Sequence, residues 1–395
     1  MIERTEYLDK LKTFKDKDLI KVVTGVRRCG KSTLFALFID YLLKNGVEET
    51  QIISINLENP EYDFLSYKDL YDYVKERLPQ GKKAYVFLDE VQQVDEFQRA
   101  VDGLYLNKDI DLYITGSNAM LLSGELATLL SGRYIEINML PLSYKEYLAG
   151  TKQEVGEKSY LNYISRSSFP YAINLETEAE TDEYLQNIYN TIIMKDVMQR
   201  RNIADANMLN SVASFMFDNI GNILSIKKIA DTLTSDGRKI STHTVESYLS
   251  ALTESFVFRK AGRYDIRGKQ YLQSGEKYYA TDVALRYALL GRKNVDAGRM
   301  LENVVYLELV RRGYKVFVGK NDAKEVDFVA ENKEGVIYVQ VAYTVREETT
   351  LERELAPLQS IPDHYPKLLL TMDVDPAVNY DGIRKINVLD WLVGE

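Results

Sequence analysis

The chain has 395 residues, of which 45% are hydrophobic and 28% charged, and carries a formal net charge of −9. That length exceeds what one core fills, so two or three domains are expected, and the acidic balance excludes a general polycation. One cysteine, Cys29, and two histidines, His243 and His364, exclude an internal disulfide and argue against zinc or histidine-triad chemistry.

Met1–Lys10 is charged throughout, which predicts no secretory leader and a cytoplasmic location. No run of about eighteen apolar residues offers a membrane span. Beyond it, short β-branched runs alternate with helical patterns. Leu19–Val23, Gln51–Leu57, Lys83–Leu88, Asp111–Thr115 and Tyr134–Ile137 read as strands, and Thr33–Leu43, Asp69–Leu78 and Val94–Leu106 as helices between them. This alternation predicts an α/β fold, a doubly wound parallel sheet over residues 1–142, with its ligand beyond the carboxyl ends of the strands.

Gly25 to Ser32 read G-V-R-R-C-G-K-S, a complete G-x-x-x-x-G-K-[ST] phosphate loop between the first strand and the first of those helices. Strand, glycine turn and helix start together present main-chain N–H groups to phosphate oxygens, the mark of a P-loop NTPase. Gly25 and Gly30 permit the turn, Lys31 reaches the β- and γ-phosphates, and the Ser32 hydroxyl is a Mg²⁺ ligand. Arg28, Cys29 and Thr33 complete the expected nucleotide contacts; Arg27 and Arg28 can also face a partner or solvent.

The strand Tyr85–Leu88 ends in Asp89 and Glu90, the Walker B form. Asp89 is expected to hold Mg²⁺ and Glu90 to polarise the attacking water. Thr115-Gly116-Ser117-Asn118 ends the next strand and places Asn118, or Ser117, as a sensor of the γ-phosphate. Ser131-Gly132-Arg133 precedes the fifth strand, and Arg133 is the candidate arginine finger, in cis or in trans.

After Pro141 the patterns turn helical. Residues 143–204 (Ser143–Leu148, Lys158–Ile164, Thr181–Met198) are expected to form a helical lid or linker, broken by the turn-prone Ser167–Tyr171. Residues 205–281 give three helices, Met208–Asn219, Ile226–Leu233 and Thr242–Thr253, then strands Phe256–Arg263 and Lys277–Ala280, the order of a winged helix-turn-helix. Thr242, His243, Thr244, Ser247 and Tyr248 on the third helix, with Arg259, Arg263, Arg267 and Lys269 at the wing, make DNA a candidate partner. Gly221–Gln270 carries nine Lys/Arg against five Asp/Glu. Residues 282–395 add a helix, Gly298–Arg311, strands Lys315–Val318, Val326–Ala330, Val336–Ala342 and Lys367–Met372, and a helix Thr349–Gln359; Trp391 is expected in a core.

These motifs, with L-S-G-R-Y and L-P-L-S-Y-K-E-Y, resemble the prokaryotic AAA-superfamily ATPases. Those proteins join such a domain to a C-terminal domain of unknown function of the 4143 type, with a winged helix and a restriction-endonuclease-like fold. The resemblance implies ATP as the nucleotide, and no guanine-reading N-K-x-D stands where it would contradict this.

Active nucleases of that fold place an acid on the first helix, an Asp on one strand and E-x-K on the next. Glu302 fits the helix acid and Asp327 the strand acid, but Gln340 stands where the second carboxylate belongs and Ala342 where the lysine belongs. The 282–395 region is therefore expected to keep the shape without cutting, unless Glu325 or Lys324 substitutes.

The expected function is an AAA-type ATPase that hydrolyses Mg-ATP to drive or switch a DNA-associated or regulatory assembly, with a homo-oligomer left open. The alternatives are a non-hydrolysing ATP-dependent switch or scaffold with protein partners, and an ATP-powered, Mg²⁺-dependent DNA nuclease.

Overall fold

A computed structural model describes residues 2–63, 66–119, 132–199, 201–292 and 296–394. Ser131 of the predicted finger segment lies outside the described residues. Contacts divide the chain into two units, Met1–Met139 with Glu254–Phe256, and Leu140–Thr253 with Val257–Glu395.

In the first unit, β1 (Ile20–Thr24), β2 (Ile52–Asn56), β3 (Ala84–Asp89), β4 (Ile110–Gly116) and β5 (Tyr134–Asn138) form one sheet in the order β2-β3-β4-β1-β5. Every pairing is parallel. Crossover helices Lys31–Lys44, Tyr67–Glu76 and Phe97–Tyr105 follow β1, β2 and β3. All residues of β1 and β3 are buried, as in strands covered on both faces. Val22, Val86, Leu88, Leu112 and Ile114 pack with Leu70, Val74, Val101 and Leu104 of the helices. Each such side chain contributes about 1.5–3 kcal/mol by leaving water.

Lys21, in the middle of β1, is fully buried. Its ammonium pairs with Asp111 of β4 and donates to the Lys17 carbonyl at 2.9 Å, while Tyr113 donates to the same Asp111 carboxylate at 2.7 Å. A slip of one residue would turn Lys21 to the other face, so this pair pins the β1–β4 register. The helix Thr5–Phe14 was not expected, because only Tyr7 and Leu11 of its charged sequence are buried.

In the second unit, helices Tyr144–Thr151, Glu157–Arg166 and Glu178–Thr191 come first, the last continued by a π-helical stretch, Ile192–Gln199. Asp282 fastens the Ser167–Tyr171 break: it accepts Ser168 N–H and Oγ–H, each at 2.6 Å, and Ser167 Oγ–H at 2.9 Å. Helices Ala206–Asp218, Ile226–Ser235 and Thr242–Glu254 precede the antiparallel hairpin of β6 (Phe258–Asp265) and β7 (Gln270–Ala280). Helices Ala284–Leu290 and Ala297–Arg311 follow, then β8 (Lys315–Asn321), β9 (Lys324–Asn332), β10 (Gly335–Ala342), the helix Glu348–Gln359, β11 (Lys367–Thr371), β12 (Val378–Tyr380), β13 (Ile383–Asn387) and a last helix, Val388–Val393.

The hairpin is not a separate wing. β6 pairs in parallel with β8, so β6 to β13 make one eight-stranded mixed sheet in the order β12-β13-β11-β10-β9-β8-β6-β7. The division expected at residues 281 and 282 is therefore corrected: hydrogen bonds carry the sheet across it. Trp391 is buried, with the Arg312 guanidinium 4.1 Å from its ring. Among the described residues, no helix is long and apolar enough to cross a membrane.

Candidate functional site

The phosphate loop leaves β1 and enters the helix at Lys31. A Cβ on Gly25 would sit 2.3 Å from the Met139 carbonyl oxygen and 2.9 Å from Cys29 Sγ, so only glycine fits where the loop passes β5. Gly30, at φ 105°, and Arg28, at φ 68°, both take left-handed geometry. Arg28, Ser32 and Thr33 are exposed, as a phosphate cradle requires.

Cys29, unlike Arg28, Ser32 and Thr33, is buried. Its N–H donates to the Val26 carbonyl at 3.2 Å, and its carbonyl accepts from Arg4 at 2.9 Å. Its side chain shapes the loop from within, so any contact with the nucleotide falls to its main chain.

Lys31 is buried and its ammonium lies 3.2 Å from Glu90, also donating to the Gly25 carbonyl at 3.1 Å. Burial opposes its charge, yet Glu90 foremost among its neighbours holds it above the ordinary lysine value. For Glu90 burial pushes the opposite way and loses: the Lys31 ammonium and the Gln92 amide keep its carboxyl below the usual range. Burial dominates at Asp89 and raises it, although hydrogen bonds from the Ser32 and Thr115 hydroxyls pull it down. The structure thus brings Lys31, Ser32, Asp89 and Glu90 together at the carboxyl ends of β1 and β3.

Thr115, at the same end of β4, donates to Asp89 and accepts the Glu90 N–H at 2.8 Å. Gln92 donates to Glu90 and, at 3.4 Å, to Ser117 Oγ. Ser117 and Asn118 are both buried just past β4. Arg27 is also buried and pairs with Glu58 at 2.6 Å. Thr115 and Gln92 were missed: T-G-S-N and D-E-V-Q were read for their sensor and acids, and nothing in a single sequence distinguishes their neighbours.

Arg133 is not brought to this cluster. It precedes β5, whose Tyr134 pairs with Ile20 at the start of β1, and it forms an ion pair with Asp102 at 2.9 Å. Five residues at about 3.3 Å each separate that end of β1 from the phosphate loop. Arg133 thus stands at the end of the sheet opposite the phosphate loop.

In the second unit Thr242, His243 and Ser247 are exposed on the helix Thr242–Glu254, whereas Tyr248 is buried and cannot read a base edge. Of the hairpin cations, Lys260 pairs with Glu276 at 3.1 Å and Arg267 with Asp322 at 2.8 Å.

Around the expected nuclease positions, Glu302 and Asp327 converge on a residue the sequence did not single out, Lys277 of β7. Its ammonium lies 2.9 Å from Glu302, 2.8 Å from Glu325 and 4.0 Å from Asp327. Tyr279 donates to the same Glu302 oxygen at 2.7 Å. Burial opposes the Lys277 charge, but Glu302, Asp327 and Glu325 raise it above the ordinary lysine value. Burial and then the Glu302 charge drive the Asp327 carboxyl well above its usual range. Lys324 points elsewhere, to the Ala356 carbonyl at 3.2 Å. Gln340 accepts the Asp327 N–H at 3.3 Å and donates to Glu354 at 2.9 Å. Lys277 lies 25 residues or more from each acid in sequence, so no local pattern announces it.

Residues 17–148 match the AAA domain family model. Residues 157–296 match Domain of unknown function (DUF8612), where the resemblance implied a domain of the 4143 type. An uncharacterized protein of Haemophilus influenzae is 41% identical over 100% of this chain and 99% of its own length. The uncharacterized protein MJ1544 of Methanocaldococcus jannaschii is 30% identical over 94% of this chain and 85% of its own. Among solved structures, the Walker-type ATPase PABY2304 of Pyrococcus abyssi is similar with TM-score 0.49 and 16% identity, covering 73% of this chain and 96% of that one. The chain belongs to the family of the Haemophilus and Methanocaldococcus proteins, and its amino-terminal part is an AAA domain of the P-loop ATPase type.

Proposed function

We propose that the protein binds and hydrolyses Mg-ATP in its amino-terminal unit. One arrangement carries the reading: Lys31, in the phosphate loop's helix start beside Ser32, is 3.2 Å from Glu90, which follows Asp89 at the end of β3. Ser32 and Asp89 are oxygen donors of the kind Mg²⁺ takes with its own waters. When bound, that ion neutralises charge on the phosphates. Lys31 engages the β- and γ-phosphates, and their oxygens compete with Glu90 for its ammonium. Glu90, so released, orients a water and takes its proton as the water oxygen bonds to the γ-phosphorus and the bond to ADP breaks. Arg133 enters this reading only in trans.

The test is phosphate release and nucleotide binding by the full chain. Lys31→Ala is expected to abolish binding. Glu90→Gln should bind Mg-ATP and lose about 10²–10⁴ in turnover; equal turnover in Glu90→Gln and the parent removes Glu90 from this role, and the non-hydrolysing switch then becomes the better reading.

The exposed Thr242, His243 and Ser247, with the exposed Lys227, Lys228 and Lys239 nearby in sequence, support DNA as the partner of the second unit. A binder neutralising several phosphates loses affinity steeply with salt. Fluorescence anisotropy with duplex DNA across a salt series should show that slope. A flat, weak signal favours protein partners instead. The 282–395 region does not cut in this reading, because an amide at Gln340 and a methyl at Ala342 replace the groups a Mg²⁺-dependent nuclease requires.

A further inference from the structure

We propose that the Lys277 ammonium is a built-in cation, filling the carboxylate pocket of the second unit's sheet where a nuclease of that outline would hold a divalent metal ion. The inference rests on the nuclease-shaped reading of 282–395 and is independent of ATP turnover in the first unit.

The acids come from two elements. Glu302 belongs to the helix Ala297–Arg311, and Glu325 and Asp327, two residues apart on β9, share one face. Lys277 comes from β7, which β6 and β8 separate from β9 in the sheet. Its side chain is only 5% exposed, yet it has three carboxylates within 4.0 Å. A lysine so placed is held by the acids, since an ammonium removed from water needs charged acceptors.

Two of the acids carry further hydrogen bonds. The Glu302 atom facing Lys277 also takes the Tyr279 hydroxyl at 2.7 Å, and the second Asp327 oxygen accepts the Val341 N–H at 2.8 Å. Gln340 binds the Asp327 N–H at 3.3 Å through its amide oxygen. A Mg²⁺ or Mn²⁺ ion needs near-octahedral oxygen coordination, and here it would meet a fixed positive charge among the acids. With the amine in place, the pocket does not fit the metal that the fold outline implies. One positive charge thus ties the β7 edge to β9 and to the helix Ala297–Arg311.

The prediction is that removing the amine creates the metal site. Full-length chain carrying Ser32→Ala and Asp89→Asn, to silence the first unit, would be titrated with Mn²⁺ and free ion followed by electron paramagnetic resonance. Adding Lys277→Met should gain one Mn²⁺ per chain, and adding Asp327→Asn to that variant should lose it. A folded Lys277→Met chain that gains no ion overturns the inference. If Lys277→Met fails to fold, Glu302→Gln on the lysine-containing chain decides: unchanged Mn²⁺ binding supports the proposal, and loss of a bound ion overturns it. Cleavage of duplex DNA by the parent with Mg²⁺, abolished by Asp327→Ala, would overturn both the inert-nuclease reading and the lysine plug, whereas a missing gain in Lys277→Met overturns the plug alone.

Discussion

The Thr115 hydroxyl accepts the main-chain N–H of Glu90 at 2.8 Å while donating its own proton to the Asp89 carboxylate. One side chain on β4 therefore fixes both acids at the end of β3. Glu90 needs such a hold because it sits in the left-handed region at φ 55°, costly for a residue with a side chain. Thr115→Val keeps the shape and removes both bonds, leaving a buried carboxylate and N–H each one partner short. We expect a stability loss of about 1–3 kcal/mol and, because the acids shift, a fall in turnover of up to about a hundredfold. Thr115→Ser should restore both. Denaturant unfolding and phosphate release would check this; normal turnover in Thr115→Val would show that the acids hold their places without it.

Gly25→Ala tests the cradle from the other side. The added methyl carbon would stand 2.3 Å from the Met139 carbonyl oxygen, and main chain cannot yield as a flexible side-chain tip can. The backbone is also at φ 154°, outside the range most side chains accept. The first unit should lose about 1–3 kcal/mol, with weakened nucleotide binding. Calorimetric Tm and ATP titration on the same sample would measure both; an unchanged Tm would mean that β5 moves aside freely.

Much of the nucleotide site was legible because its chemistry is written in contiguous residues. Gly25 to Ser32 and Asp89-Glu90 each combine an element boundary with the groups that act there, so finding the boundary finds the group. The parallel sheet was legible for a related reason, since strands such as Val86–Leu88 are apolar throughout. What stayed hidden is non-local. Lys277 meets Glu302, Glu325 and Asp327 only because β6 joins β8 and draws the hairpin into the larger sheet. Arg133 looked like a finger from its spacing, but register alone decides at which end of β5 it stands. The short strands Val378–Tyr380 and Ile383–Asn387 have too little apolar periodicity to be read without their partners.

Asp373 sets a pH dependence for the second unit. It accepts the Val345 N–H at 2.9 Å and the Thr344 hydroxyl at 2.7 Å, with Lys385 and Arg346 each 3.6 Å away. Burial would raise its carboxyl, but these partners outweigh burial and hold it below the ordinary value. The unfolded chain therefore binds a proton at pH values where the folded chain does not. The stabilisation is present above the ordinary carboxylate range and is lost as pH falls through the depressed folded value. Asp373→Asn should flatten that part of the acid unfolding curve and cost about 1–3 kcal/mol at neutral pH. Urea unfolding from pH 7 downward would show it; parallel curves for parent and variant would assign the acid sensitivity to other groups.

Asp282 carries the opposite sign. Burial raises its carboxyl even though Ser168, Ser167 and Leu285 donate to it, so the folded chain keeps this proton longer than the unfolded one. Its contribution is greatest at low pH and is lost as pH climbs through the raised folded value. Geometry makes substitution costly all the same. One oxygen accepts Ser167 Oγ–H, Ser168 N–H and Ser168 Oγ–H, and the other accepts Ala284 N–H at 2.9 Å and Leu285 N–H at 3.2 Å. In Asp282→Asn one of these positions becomes an NH₂ group facing donors, so at least two N–H or O–H groups lose their acceptor. We expect about 1–3 kcal/mol of destabilisation for each buried donor left unmade. Hydrogen exchange should locate the loss at Ser168 or at the start of the helix Ala284–Leu290, according to which oxygen the NH₂ group replaces. If those amides keep parent protection in Asp282→Asn, the carboxylate is not what joins the two segments.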